Sequence, residues 1–393
     1  MSSEIPIAII GGGVIGCAVA RELSRKYGGI FVFEKNPGIT QGENQSSRNS
    51  GVIHSGIYYD QETRPAKAAL CVEGNRLLYE FCDQYQVPAV KTGKLIVATT
   101  DEEDSVLDLY FARAKENGVS AVEKISGRQV SQLEPNVKAK SALKVPSAGV
   151  VEPTSLVYRL HTLAHQAGVQ FVAQTEVIGL AAHGDFVELT IRYRDGVTDT
   201  IKAKIVINAA GVDADHMARL FNSDSPYELD PVRGESYKFY AHKRPELKLE
   251  GNNIYPAPRS VVTPHGRHFT VGVHLTPTFE DLSYPARLGT TVTVGPKLVP
   301  VEDRDARTGT WLPAEIFAEK VQPFFPALRA DDLIRHQAGV QARLKNSPDF
   351  VIENDAQYPQ FINLLGIDSP GLTSCLAVAR RAAGTVGRLG TFA

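Results

Sequence analysis

Three groups of residues in this chain have the types and spacing to do chemistry. The first is Gly11-Gly12-Gly13-Val14-Ile15-Gly16, a GxGxxG run set between an apolar stretch, Ile5 to Ile10, and a segment with helical spacing from Val14 to Tyr27. The second is Ser46 to Tyr59, SSRNSGVIHSGIYY, which gathers hydroxyls, an amide, an arginine, two glycines and a histidine into one short run. The third is dispersed: His274 in GRHFTVGVHL, Gln341 and Arg343 in AGVQARL, and the loop GIDSPGLTS near the C-terminus.

The glycine run has the context of a dinucleotide site. Gly11 permits the tight turn, Gly13 lets backbone approach a pyrophosphate, and Gly16 allows close helix–strand packing. Val14 and Ile15 then present free N–H groups at a helix N-terminus, where the dipole favours phosphate. A second apolar strand, Ile30 to Phe33, delivers Glu34 to accept the adenosine ribose hydroxyls, with Lys35 beside it. In the second run, Ser46, Ser47, Arg48, Asn49, Ser50, Gly51 and Val52 are placed to lie along that cofactor, and His54 can move a proton near neutral pH.

The elements that must position these groups follow in order. Pro65 to Tyr85 reads as a helix, Lys94 to Ala98 as a strand, Asp101 to Asn117 as a surface helix and Thr154 to Ala167 as a further helix. His161 and His165 lie four apart on the last of these but lack the glutamate of a zinc motif, so they read as solvated histidines and no metal is expected. Strands Gln170 to Val177, Phe186 to Tyr193 and Thr200 to Ile207 lead into Asn208-Ala209-Ala210-Gly211, small residues that bring the chain back toward the nucleotide. In GRHFTVGVHL, alternation puts His268, Thr270, Gly272 and His274 on one face of a strand. Ile334 to Leu344 alternates too, with Gln341 and Arg343 on one face. Phe361 to Leu365 is a buried strand, after which Ser369 caps, and Pro370 begins, a C-terminal helix.

With 393 residues, two domains are expected. Hydrophobic residues at 43% and charged residues at 22% describe a soluble globular chain, and a net charge of −2 argues against a nucleic-acid partner. The four cysteines are scattered, which fits a reducing compartment. The short acidic start and the lack of a long apolar run lead to a cytoplasmic expectation, with peripheral contact to the inner membrane face left open.

SSRNSGVIHSGIYY, together with LCVEGNRLLYEFC (Leu70 to Cys82), GKLIVAT (Gly93 to Thr99), VINAAG, RGESYKF, IYPAP, GVHLT, AGVQARL and GIDSPGLTS, resembles the L-2-hydroxyglutarate dehydrogenase/oxidase group of the D-amino-acid-oxidase-like flavoproteins. The resemblance spans nearly the whole chain and implies FAD, held without a covalent bond, where the glycine motif alone leaves NAD open. It implies an α/β architecture: a Rossmann-type FAD-binding domain (1–85, 146–222 and 335–393) and an α+β substrate domain on a mixed or antiparallel sheet (86–145 and 223–334). It places Val177, Ala209, Ala210 and Gly211 near the nucleotide, and Gly366, Ser369, Pro370, Gly371, Leu372 and Thr373 at the flavin. The implied reaction is oxidation of a small 2-hydroxy acid to the 2-oxo acid by hydride transfer to flavin N5, with reoxidation by oxygen, a quinone or a protein.

In that reading His54 or His274 is the base, and Arg343 holds the substrate carboxylate. Tyr59, Arg233, Tyr237, Tyr255 and Gln341 line the pocket. The group usually carries arginine at the position of Gln341, so here the cation stands two residues on. The alternatives are an amino-acid or amine oxidase, and a flavin electron carrier without a small substrate.

Overall fold

A computed structural model of the chain describes residues 3–42, 44–263, 266–304 and 309–390. The apolar run that opens the chain forms the strand Ser3–Ile10, flanked in parallel by Ile30–Glu34 and Thr198–Asn208. Ile7, Ala8 and Ile9 are fully buried, as expected where a strand is covered on both faces. Gln170–Ala173 extends the sheet in parallel beyond Ile30–Glu34. On the other side, the long strand Thr198–Asn208 pairs antiparallel with Phe186–Tyr193 along its first half and parallel with Phe361–Leu365 at its end. Thr175–His183 and Val351–Asn354 complete this eight-stranded sheet. The helices Val14–Leu23, Pro65–Tyr85, Pro153–Gln166 and Gly371–Arg388 share one apolar core over it. Two of them nearly touch, because a Cβ on Gly74 would lie 2.5 Å from the Thr373 carbonyl oxygen.

A second eight-stranded sheet runs in the order Ile334–Gln341, Val232–Tyr240, Arg287–Pro300, Leu275–Asp281, Asn253–Pro256, Lys94–Ala98, Ser141–Val145 and Glu123–Ser126. It is antiparallel except where Asn253–Pro256 meets Lys94–Ala98. Its two faces serve different cores. Leu95 and Val97 point toward Phe239, Phe317, Phe324 and Phe325, whereas Ile96 and Ala98 point toward Ile57, Tyr58, Tyr59, Tyr110 and Tyr255. A small sheet of Val52–Ile53, Gly149–Val151 and Ala89–Val90 holds the start of that aromatic segment in place.

Three expectations from the sequence are corrected. Strand pairing through Ile334–Gln341 puts residues 335–341 in the second sheet, and the strand ends at Gln341, so alternation does not carry on to Arg343. GRHFTVGVHL is not one strand: Gly266–Thr270 stops, Val271 to His274 are irregular, and Leu275–Asp281 begins anew. Val273 and His274 are consequently both buried; the His268 side chain falls outside the described residues. Finally, the last helix starts at Gly371 with Pro370 at its N-cap and no side-chain cap, so Ser369 does not cap it.

Candidate active site

The nucleotide end is built around the first turn. Gly11 adopts φ +100°, and a Cβ there would sit 2.5 Å from the Ala209 carbonyl oxygen and 3.1 Å from the Ala210 Cα. The two small-residue segments read from the sequence therefore meet. Helix Val14–Leu23 has Gly13 at its N-cap, no side-chain cap and no acid in its first turn, which leaves its positive end open to an anion. Ser46 Oγ accepts the Val14 N–H at 2.9 Å, and a Cβ on Gly13 would come within 3.1 Å of the same hydroxyl. Glu34 is buried and braces the turn, accepting from the Gly12 N–H at 2.7 Å and the Asn36 N–H at 2.8 Å. Lys35 pairs with Asp213 at 2.5 Å, just past exposed Gly211. Val177 is packed in the sheet core with Ala8, Phe33 and Val187, where the strand register shifts toward Gly179.

From Ser46 the chain runs to the opposite end of the site. Ser47 donates to the Asn44 carbonyl and Arg48 to that of Gly42, while Asn49 bridges Ser46 and Gly51, so these side chains fix the loop itself. Ser50 is half-buried and Val52 buried. The His54 N–H donates to Thr373 Oγ1 at 3.0 Å, and His54 Nε2 lies 3.4 Å from Ser369 Oγ. Gly366 lies against Leu344, and Gly371 and Leu372 begin the helix that carries Thr373. Lys67 and Asp368 form a buried ion pair at 2.7 Å that ties this loop to helix Pro65–Tyr85.

This donor set fits FAD. Ser46, the N–H groups after Gly13, and Glu34 suit the pyrophosphate and ribose, and the uncapped start of helix Gly371–Arg388, with Ser369 and Thr373, suits the ring system. Cys375 is fully buried and its thiol is pushed up to about 12 by burial, which leaves it unsuited to covalent flavin attachment.

Beside His54 lies a compact polar cluster. Tyr255 stacks on His274 at 3.8 Å and 10°, and on Tyr58 at 6.4 Å, while Tyr58 meets His54 edge-on at 6.5 Å. Lys94 Nζ sits 3.8 Å from the Tyr255 ring centre and 5.3 Å from that of Tyr58. Tyr59 is buried next to them, under the Arg64 guanidinium. Burial, and then Lys94, hold both His54 and His274 well below the usual histidine value of 6.5. Burial likewise raises the phenols of Tyr58, Tyr59 and Tyr255. At neutral pH the cluster therefore offers neutral imidazoles as proton acceptors and phenol O–H groups as donors. Among the described residues, His54 Nδ1, Tyr58 Oη, Tyr255 Oη and Lys94 Nζ are buried without hydrogen-bond partners.

The structure brings His54, Tyr59, Tyr255 and His274 together, while Arg343, Arg233 and Tyr237 are engaged by other protein groups and Gln341 lies at a strand end. Arg343 pairs with Asp230. Arg233 is buried against Glu235 and donates to the Thr310 carbonyl at 2.7 Å, which makes it a strut. Tyr237 donates to the Leu312 carbonyl and packs on Phe317 in the far core. Gln341 ends the edge strand, opposite Val232. Sequence reasoning missed Lys94 and Tyr58. The available signal for Lys94 was a charge at the head of KLIVA, a strand buried at every position.

Comparison with known proteins follows the same lines. A family model described as FAD dependent oxidoreductase (DAO) matches residues 6–385. The mitochondrial L-2-hydroxyglutarate dehydrogenase of Caenorhabditis elegans is 31% identical, covering 95% of this chain and 91% of that protein. A glycerol 3-phosphate dehydrogenase of Caloramator mitchellensis is 29% identical, over 95% of this chain and 72% of that one. Among solved structures, dithionite-reduced L-alpha-glycerophosphate oxidase from Mycoplasma pneumoniae, with FAD bound, superposes with a TM-score of 0.84 at 26% identity, covering 98% of this chain and 95% of that chain.

Proposed function

The chain belongs to the FAD-dependent oxidoreductase family, and we propose that it oxidises a small 2-hydroxy acid of the L-2-hydroxyglutarate type to the corresponding 2-oxo acid. FAD, when bound, supplies the acceptor for the hydride leaving C2 of the substrate. The protein's part is to position the acid and to take the hydroxyl proton.

The observation that carries this reading is His54. Its backbone is pinned to Thr373, its Nε2 faces Ser369 at the start of the last helix, and burial keeps it neutral at pH 7. Nδ1 is sealed in protein, so Nε2 is the nitrogen that receives the proton. His274 stands behind Tyr255 with Nδ1 at 3.2 Å from Thr276 Oγ1, and is already engaged. The phenols of Tyr58, Tyr59 and Tyr255 stay protonated and serve as donors to an anionic substrate.

The test is a substrate panel. Purified holoprotein is mixed anaerobically with L- and D-2-hydroxyglutarate, lactate, glycerol 3-phosphate, glycine and sarcosine, and flavin absorbance is followed. Bleaching by 2-hydroxy acids ahead of the others is expected. Preferential bleaching by an amine overturns the reading.

A further inference from the structure

We propose that Lys94 is a positioning residue for the proton transfer: a buried amine seated without a counter-ion behind Tyr58 and Tyr255, which takes up a proton on acidification ahead of His54 and His274 and so adds to burial in keeping those imidazoles free for the substrate's hydroxyl proton. The proposal rests on the reading of His54 as the base.

The placement of Lys94 follows from strand alternation. Leu95 and Val97 enter one core, so Lys94, Ile96 and Ala98 face the other, toward Tyr58 and Tyr255. Lys94 is 0% exposed. A buried lysine is ordinarily neutralised by a carboxylate, because an unpaired charge in protein interior is expensive. Lys67 shows the ordinary solution nearby, paired with Asp368 at 2.7 Å. Among the described residues Lys94 has no such partner, and its Nζ makes no hydrogen bond. What it meets instead is the face of Tyr255, a weaker cation–π contact.

The titratable groups around it come from four directions. His54 and Tyr58 belong to the Ser46 to Tyr59 run, Cys71 to helix Pro65–Tyr85, Tyr255 to strand Asn253–Pro256, and His274 to the turn before Leu275–Asp281. None is a carboxylate. Burial raises the tyrosines and Cys71, so they are neutral at pH 7. Three basic groups are left in one low-dielectric space, and like charges there resist a second proton. Burial brings Lys94 down to about 7, while both histidines go well below 6.5. On acidification the first proton therefore goes to Lys94, and its charge shields the imidazoles from the next. A purely structural lysine, wedging two tyrosine rings apart, would be replaced by methionine with no change in histidine titration.

The experiment uses holoprotein carrying carbon-13 at histidine Cε1, titrated by NMR as wild type and as Lys94→Met. In the wild type, His54 and His274 should stay neutral well below pH 6.5. In Lys94→Met both should protonate about one pH unit higher, and the acid limb of anaerobic flavin reduction by L-2-hydroxyglutarate should move up by the same amount. Unmoved titrations and an unmoved acid limb, with FAD content intact, overturn the proposal. If Lys94→Met does not fold, Lys94→Gln, which keeps a polar end without the charge, is titrated in its place: an upward shift of both histidines supports the proposal and unmoved titrations overturn it. Failure of the His54 reading looks different. His54→Ala would then reduce its flavin at the wild-type rate while the remaining histidine still shifts in Lys94→Met.

Discussion

His54 Nε2 lies 3.4 Å from Ser369 Oγ, across 315 positions of sequence. The contact joins the two segments that frame the candidate flavin site. One runs from the helix N-terminus at Gly13, where Ser46 accepts from Val14, and the other opens the last helix. His54 is held at their meeting point by its backbone bond to Thr373 and by Asn75 Nδ2, which donates to its carbonyl at 2.8 Å. The imidazole is therefore fixed in place before any substrate arrives.

His54→Ala is expected to keep FAD and to slow flavin reduction by roughly 10²- to 10⁴-fold, the range lost with a general base. Stopped-flow absorbance after anaerobic mixing reads the rate, and the visible spectrum of the purified variant reads FAD content. A colourless variant would mean that His54 is a structural cofactor contact instead.

Glu34→Ala removes the acceptor for the buried Gly12 N–H and for the half-buried Asn36 N–H. Leaving the buried Gly12 donor unpaired costs about 1–3 kcal/mol, so a clear drop in Tm of the apoprotein is expected. If the same carboxylate accepts the ribose hydroxyls, as the sequence motif leads one to expect, FAD affinity should fall by about tenfold or more on titration. Unchanged FAD affinity would remove Glu34 from the cofactor site.

Stability should depend on pH through Lys94. Its folded value is about 7 against 10.5 when free, so between these values the unfolded chain holds a proton that the folded chain has released. Stability from this group is complete above 10.5 and is lost as pH falls through 7. Lys94→Met abolishes that contribution. Its Tm should exceed that of the wild type at pH 6.5 and the gap should close toward pH 10, measured by calorimetry. Parallel curves for the two proteins would contradict an uncompensated lysine.

Arg343→Ala tests the carboxylate role expected from the sequence. The guanidinium is paired with Asp230, and both side chains are more than a third exposed. A pair of that kind contributes about 0–1 kcal/mol to stability, so Tm should barely move, and with the guanidinium engaged by Asp230 KM for a 2-hydroxy acid should stay close to the wild-type value. A larger rise in KM at constant FAD content would show that Arg343 leaves Asp230 for the substrate.

Legibility followed local physics. The run Ile5 to Gly16 announced its strand, turn and helix because a doubly buried strand must be apolar and the turn needs Gly11 at positive φ. The approach of Ala209 and Ala210 to that turn was readable from small residues at a strand end. The register of Arg343 was not, since alternation in a sequence does not mark where hydrogen bonding stops, and the strand stops at Gln341. Arg233 and Tyr237 were expected in the pocket on the resemblance of RGESYKF. Their partners, Glu235 and the Leu312 carbonyl, are contacts that periodicity cannot reveal. Lys94 was overlooked for the opposite reason: a lysine before an apolar strand is usually a solvated flank, and only the packing of Tyr58 and Tyr255 buries it.

Anaerobic addition of L-2-hydroxyglutarate to the oxidised holoprotein, with flavin absorbance and product measured together, tests the proposed oxidation itself. The flavin is expected to bleach with formation of one 2-oxoglutarate per FAD reduced. A flavin that stays oxidised with every 2-hydroxy acid, yet bleaches with glycine or sarcosine, would contradict it.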